Sequence, residues 1–174
     1  QTLSLMSDVF GKESTCIGMQ KMMAEMDKSL WDLGLKIDKY KSITSEYLSD
    51  PFYIEQKKKF NRREVLYFSL LKDTKKSCDL KTTTILFFYK KKEDCKDCDA
   101  MSFVLTDLKK EVDKEIAIFS FDKDLALSSI EVLTDNYHVS EYPCIVIEDS
   151  TYCGLHNKEE VINLICKEEK NFSK

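Results

Sequence analysis

The stretch FFYKKKEDCKDCDAMSFVL, residues 87–105, decides how the second half of the chain is read. It begins aromatic and turns into a dense run of charge, in which Cys95 and Cys98 stand three positions apart. Beyond them Met101, Val104, Leu105, Leu108 and Val112 recur at the spacing of one helical face. Just before, residues 82–89 (TTTILFFY) are β-branched and aromatic, which is the composition of a strand. The cysteine pair therefore opens a helix that follows a strand. Such a pair is a redox-active dithiol, half of a metal site or an inert spacing.

The alternation of types continues downstream. Residues 115–122 (EIAIFSFD) read as a buried strand, and KDLALSSIEVLTDNY carries helical spacing through Leu125, Ile130 and Leu133. PCIVIEDSTYCGL reads as two strands joined by a tight turn around Asp149–Ser150. NKEEVINLICKEE reads as a closing helix, with Asn157 as N-cap and Val161, Ile162, Ile165 and Cys166 towards the core. The order is strand, helix, strand, helix, strand, strand, helix. Strands alternating with helices imply parallel pairing, and the late hairpin adds an antiparallel strand.

The first half has a different period. Met23, Met26, Leu30, Leu33, Ile37, Tyr40, Thr44 and Tyr47 follow alternating three- and four-residue steps, a heptad seam with charge on the faces between. YLSDPFYIEQ interrupts it, with Asp50 as N-cap and Pro51 in the first turn of a second helix that reaches about residue 75. Phe60, Tyr67 and Leu71 share a face of that helix, Leu66 and Leu70 flank it, and Trp31 is expected to pack inside. Lys57, Lys58, Lys59, Arg62 and Arg63 form a solvated basic face. Two helices joined by a short connection are antiparallel neighbours, so residues 1–78 read as a helical hairpin and residues 79–174 as a second domain. The hairpin brings its open ends together, where Cys16 and Cys78 either form a structural disulfide or remain two buried thiols.

Composition narrows the function classes. Of 174 residues, 43 % are hydrophobic, enough for a core, and the net charge is −4, which argues against nucleic acid as the main partner. No apolar run approaches the ~20 residues of a membrane span. The chain opens at Gln1, so a leader or membrane anchor is expected to have preceded it. Seven cysteines are many for a reduced compartment and point to an extracytoplasmic location, secreted or membrane-anchored.

The order of elements in residues 82–170, with a Cys-x-x-Cys opening the first helix and Tyr142-Pro143 before the third strand, resembles the thioredoxin family. FFYKKKEDCKDC resembles its strand-loop-dithiol, YHVSEYPCIVIE the segment that delivers its cis-proline, and STYCGLHNKEEVINLI its last strand and final helix. The resemblance implies an α/β thioredoxin-like fold, a mixed sheet in the order βαβαββα, preceded here by the helical hairpin. It also implies thiol–disulfide exchange on protein disulfides without a cofactor or a metal. Cys95, exposed at a helix N-terminus, would be the nucleophile and Cys98 the resolving thiol. Pro143 would hold a backbone edge for the substrate chain, with Tyr142, Lys96 and Asp97 beside it. Where the family carries a tryptophan before the first cysteine, this chain has Asp94. Lys92 and Lys96 favour a thiolate, whereas Glu93, Asp94, Asp97 and Asp99 oppose it.

Other pairings use the same residues. Cys95, Cys98, Cys153 and His156 make up a Cys3His zinc set, but a thioredoxin-like sheet separates the last hairpin strand from the dithiol. Cys144 and Cys153 lie diagonally on neighbouring strands if the turn is at Asp149–Ser150, and Cys166 could meet Cys153 instead. Small buried hydrophobes are the plainer reading of all three. His138 and His156 read as surface or strand-end residues. The competing function class is a non-catalytic interaction protein, with a fixed disulfide and a hairpin that binds a partner or forms a homodimer along its seam.

Overall fold

The computed structural model describes residues 2–43, 46–112 and 116–172. Thr44 of the seam and Glu115 of the second strand lie outside the described residues. The chain divides into two compact units, residues 1–81 and 82–174.

The first unit comprises helices α1 (Thr2–Phe10), α2 (Lys12–Ile43) and α3 (Pro51–Cys78), with a 3-10 turn at Tyr47–Ser49. At a rise of about 1.5 Å per residue the two long helices measure roughly 48 and 42 Å. They are antiparallel: Cys16 is bonded to Cys78, Ser29 meets Arg63, Gly34 lies against Phe60 and Tyr40 meets Asp50, so numbers climb on α2 as they fall on α3. The α2 seam buries Met23, Leu30, Leu33 and Ile37 as its spacing requires, and extends back through Met19 to Thr15. Asp50 caps α3 by accepting from the Phe52 and Tyr53 amides, and Pro51 takes the first turn, where no N–H is needed. α1 was not legible in the residue spacing. It ends at Gly11, whose φ of +84° suits a residue without a Cβ.

Three expectations for this unit are corrected. The buried stripe of α3 is Tyr53, Asn61, Glu64, Phe68, Leu71 and Thr74, one position round from Phe60 and Tyr67, which are half-buried. Polar Asn61, Glu64 and Thr74 occupy seam positions, so a search for apolar periodicity settles on the neighbouring stripe. Trp31 is 69 % exposed and does not pack inside; it falls one step after Leu30 and therefore off the seam. The basic run is not uniformly solvated: Arg63 donates to Ser29 Oγ at 2.9 Å, and Lys57, Lys58 and Arg63 are half-buried.

The second unit is a four-stranded mixed sheet with helices on both faces. Its elements are β1 (Thr83–Tyr89), α4 (Cys98–Glu111), β2 (Ile116–Asp122), a 3-10 turn (Lys123–Leu125), α5 (Ser128–Asn136), β3 (Cys144–Ile147), β4 (Ser150–Cys153) and α6 (Lys158–Phe172). The strand order is β2-β1-β3-β4, with β1 parallel to β2 and antiparallel to β3. Alternation along β1 sorts the core. Ile85 and Phe87 join Met101, Leu105 and Leu108 of α4, Val161 and Ile165 of α6, and Ile145 and Ile147 of β3 on one face. Leu86 and Phe88 point to the other face, where Phe88 packs on Phe121 at 5.5 Å and Thr151 donates to Tyr137 O at the end of α5. Asn157 Oδ1 accepts from Glu160 N while Glu160 Oε2 accepts from Asn157 N, a reciprocal cap that starts α6.

The closing hairpin differs from the expected register. The pairs are Ile147–Ser150 and Cys144–Cys153, so the turn residues are Glu148 and Asp149. Glu148 adopts φ +56°, its amide donates to Thr84 O, and its carboxylate accepts from Thr84 N. These two bonds to β1 fix the turn one residue earlier than turn propensity alone places it. On α6, Ile162 is 37 % exposed and Cys166 is exposed, and the buried positions are Val161, Ile165 and Glu168. Glu168 is held inside by accepting from Tyr152 Oη and Ser150 Oγ, which lets a carboxylate take a core position.

Candidate active site

The site lies at one end of the sheet. β1 and β2 are parallel, so the segments leaving them emerge at the same end; β3 is antiparallel to β1, so the segment entering it arrives there too. Those three segments carry the charged run before Cys95, the 3-10 turn at Lys123–Leu125, and Tyr142–Pro143. Register sharpens this. Phe88 pairs with Cys144, which sets Pro143 at the level of Tyr89, the last residue of β1. The Tyr142–Pro143 peptide is cis.

Cys95 and Cys98 are joined as a disulfide, Cα atoms 5.5 Å apart, at the first residue of α4. Cys98 begins the stripe that continues through Met101, Leu105 and Leu108, so its sulfur is directed inward. Cys95 is 4 % exposed, not open to solvent as expected. Bonded to Cys98, it is drawn onto the core side of the helix start, while Lys96 and Asp97 remain outside. Two intervening residues are what permits this closure: they place both sulfurs at one helix terminus, where the dipole favours a thiolate once the bond is reduced.

The run before Cys95 is ordered. Asp94 N donates to Lys91 O at 3.0 Å, closing a turn, and Lys91 Nζ lies 3.6 Å from Asp94 Oδ2. Lys91 N donates to Asp124 Oδ2 at 2.7 Å. Lys90 Nζ sits 5.0 Å from the centre of the Tyr142 ring. Burial and, after it, the Asp124 carboxylate push the Tyr142 phenol above its ordinary value. Tyr142 is half-buried; Lys96 and Asp97 are exposed.

The remaining cysteines are also placed. Cys16 and Cys78 are joined across the open end of the hairpin, with Cα atoms 5.6 Å apart. Cys144 and Cys153 are joined across β3 and β4 as directly opposed residues, which replaces both the diagonal arrangement and the plain buried thiols. Gly154 N donates to Pro143 O next to them, so they form a non-hydrogen-bonded pair, the closer kind in an antiparallel ladder. Cys166 is the cysteine without a disulfide. The zinc set is thereby dismantled, because Cys95, Cys98 and Cys153 are all oxidised. Among the described residues no cluster of three or more His, Cys, Asp or Glu is arranged to hold a metal ion. His138 is exposed, and His156 Nδ1 lies 3.1 Å from Gly154 O.

Nothing in the residue spacing singles out Asp124 or Lys90. An Asp-x-Asp at a strand end signals a capped turn, but nothing in the spacing tells that its second carboxylate reaches a different loop.

No family model matches the chain, and no curated protein matches it. Among solved structures it is similar to a malarial protein, with 24 % identity and a TM-score of 0.43 over 49 % of this chain and 96 % of that one. It is also similar to thioredoxin-2, a component of malaria parasite protein secretion machinery, with 24 % identity and a TM-score of 0.42 over 49 % of this chain and 82 % of that one. No helix of the described residues is long and apolar enough to cross a membrane. Three disulfides fit an oxidising environment.

Proposed function

We propose that residues 82–174 are a thioredoxin-like thiol–disulfide oxidoreductase domain acting on protein disulfides outside the cytoplasm, through Cys95 and Cys98. The observation that carries this reading is the Cys95–Cys98 disulfide at the N-terminus of α4, with Pro143 set by register at the strand end from which the dithiol loop departs. In the reducing direction the Cys95 thiolate attacks one sulfur of a substrate disulfide. A mixed disulfide forms and a substrate thiolate leaves. Cys98, deprotonated, then attacks the Cys95 sulfur, the second substrate thiolate leaves, and Cys95–Cys98 is oxidised. Two electrons pass from the dithiol to the substrate. The reverse sequence oxidises a substrate dithiol, and an external dithiol or disulfide resets the site.

Pro143 has no N–H to donate and its O accepts from Gly154 N, so the edge offered to a substrate chain is that of Tyr142, one residue earlier. Lys96 and Asp97, both exposed between the cysteines, supply opposite charges to the same chain. Reduction of insulin disulfides by the wild-type chain and by Cys95→Ser tests the assignment. Activity confined to the wild type supports it, and equal rates remove it.

A second reading is favoured by exposed apolar side chains on the first unit: Leu5, Val9 and Phe10 of α1 and Trp31 of α2. On that reading the chain is an interaction protein or a homodimer through its hairpin, and Cys95–Cys98 does not turn over. Sedimentation of the full chain with and without Trp31→Lys separates self-association from the monomer.

A further inference from the structure

Eight residues, 90–97, connect β1 to α4, and they carry the nucleophile of the proposed reaction. A connection of that length needs a fixed point if Cys95 is to meet a substrate in one geometry. Inside it, Lys91 and Asp94 close a turn through Asp94 N and Lys91 O. That turn is held from outside at its first residue, by the bond from Lys91 N to Asp124 Oδ2.

The carboxylate that receives it is itself fixed. Asp124 lies in the 3-10 turn that leaves β2, and its amide donates to Asp122 Oδ1 at 2.9 Å. Asp122 is buried and pairs with Tyr89, the residue from which the dithiol loop departs. Leu125 is buried next to it, and Ala126 closes the turn in the left-handed region by donating to Lys123 O. Asp124 is also near enough to Tyr142 to act on its phenol, and Lys90 lies over the same ring. One exposed side chain thus bears on all three segments of the site.

We infer that Asp124 is a positioning residue of the dithiol loop: its carboxylate anchors the Lys91–Asp94 turn and so sets where Cys95 is presented against the Tyr142–Pro143 edge. Its importance for turnover rests on the thiol–disulfide reading; the anchoring itself does not. A charged acceptor gives a stronger hydrogen bond than a neutral one, but an amide oxygen still accepts. Asp124→Asn therefore keeps the anchor and loses the charge, whereas Asp124→Ala loses both.

The test compares wild type, Asp124→Asn and Asp124→Ala as full chains. Amide hydrogen exchange at Lys91 reads the anchor, and equilibration of Cys95–Cys98 with glutathione reads the geometry of the pair. Asp124→Ala is expected to lose Lys91 protection and to change the glutathione equilibrium constant by about two- to tenfold, the worth of one hydrogen bond. Asp124→Asn is expected to stay near wild type in both, while its Tyr142 phenol titrates at lower pH. The Tyr142 shift without loss of Lys91 protection separates anchoring from charge. Unchanged Lys91 protection in Asp124→Ala overturns the inference, as does an unchanged glutathione equilibrium. A wild type that fails to reduce insulin, yet shows the Lys91 and glutathione effects, overturns the enzyme reading and leaves the anchor standing.

Discussion

Phe88 and Cys144 stand opposite each other across the β1–β3 ladder. That single pairing brings Pro143 level with the end of β1, so two segments distant in sequence meet at one end of the sheet. It also places Cys144 on the same sheet face as Phe88, away from the face that carries α4.

If the two cysteines have separate roles, their substitutions differ. Cys95→Ser should reduce insulin reduction to the buffer background. Cys98→Ser should retain the first attack and accumulate a mixed disulfide with the substrate, seen as a mass shift on non-reducing electrophoresis. Trapping by Cys95→Ser instead would exchange the roles.

The hairpin staple has a calculable effect. Cys16 and Cys78 are 62 residues apart, and closing a loop of that size stabilises the folded state by about 4 kcal/mol in the chain-entropy model. Replacing both by serine should lower the urea midpoint of the first unit and steepen its slope, because the uncrosslinked unfolded chain exposes more surface.

Packing in the same unit gives a contrast. Phe68 is 3 % exposed at the centre of the α3 stripe, so Phe68→Ala should cost about 3–5 kcal/mol. Trp31→Ala, at a side chain left in solvent, should change stability by no more than about 0.5 kcal/mol. Chemical denaturation of the two variants checks both values.

Asp50 should make the hairpin sensitive to acid. Its carboxyl is held below the ordinary 3.8, chiefly by the Tyr40 hydroxyl; the Phe52 and Tyr53 amides add to this, and partial burial opposes it. A folded-state value below the unfolded one contributes stability that is present above the unfolded value and is lost as pH falls through the folded one. Thermal midpoints of the wild type should therefore fall more steeply below about pH 4 than those of Asp50→Asn. Parallel curves would mean that Asp50 does not contribute to the acid sensitivity of the hairpin.

Where the residues speak through period or capping, they predict the structure closely. The strands, the α4 stripe, the Asp50–Pro51 restart and the Asn157 cap each rest on neighbours within one turn. Trp31, the α3 stripe and the last turn do not. Asn61 and Glu64 are buried polar residues that disguise the seam. Glu148 is placed by bonds to Thr84, which is far away in sequence. The site follows the same division. The cysteine spacing and the proline are local features and stand out in the chain, whereas the Asp124 bridge needs three loops to be assembled first. The Cys144–Cys153 bond depends on a register that moves with the turn.

On the proposed function, Cys95 and Cys98 form an exchangeable pair. The most direct measurement is a redox titration of the full chain against reduced and oxidised glutathione, following the Cys95–Cys98 peptide by thiol alkylation and mass spectrometry. A reversible two-electron transition of that peptide, with Cys16–Cys78 still oxidised, is the predicted result. A Cys95–Cys98 bond that stays closed until the hairpin disulfide also opens would mark it as a fixed structural disulfide and overturn the thiol–disulfide reading.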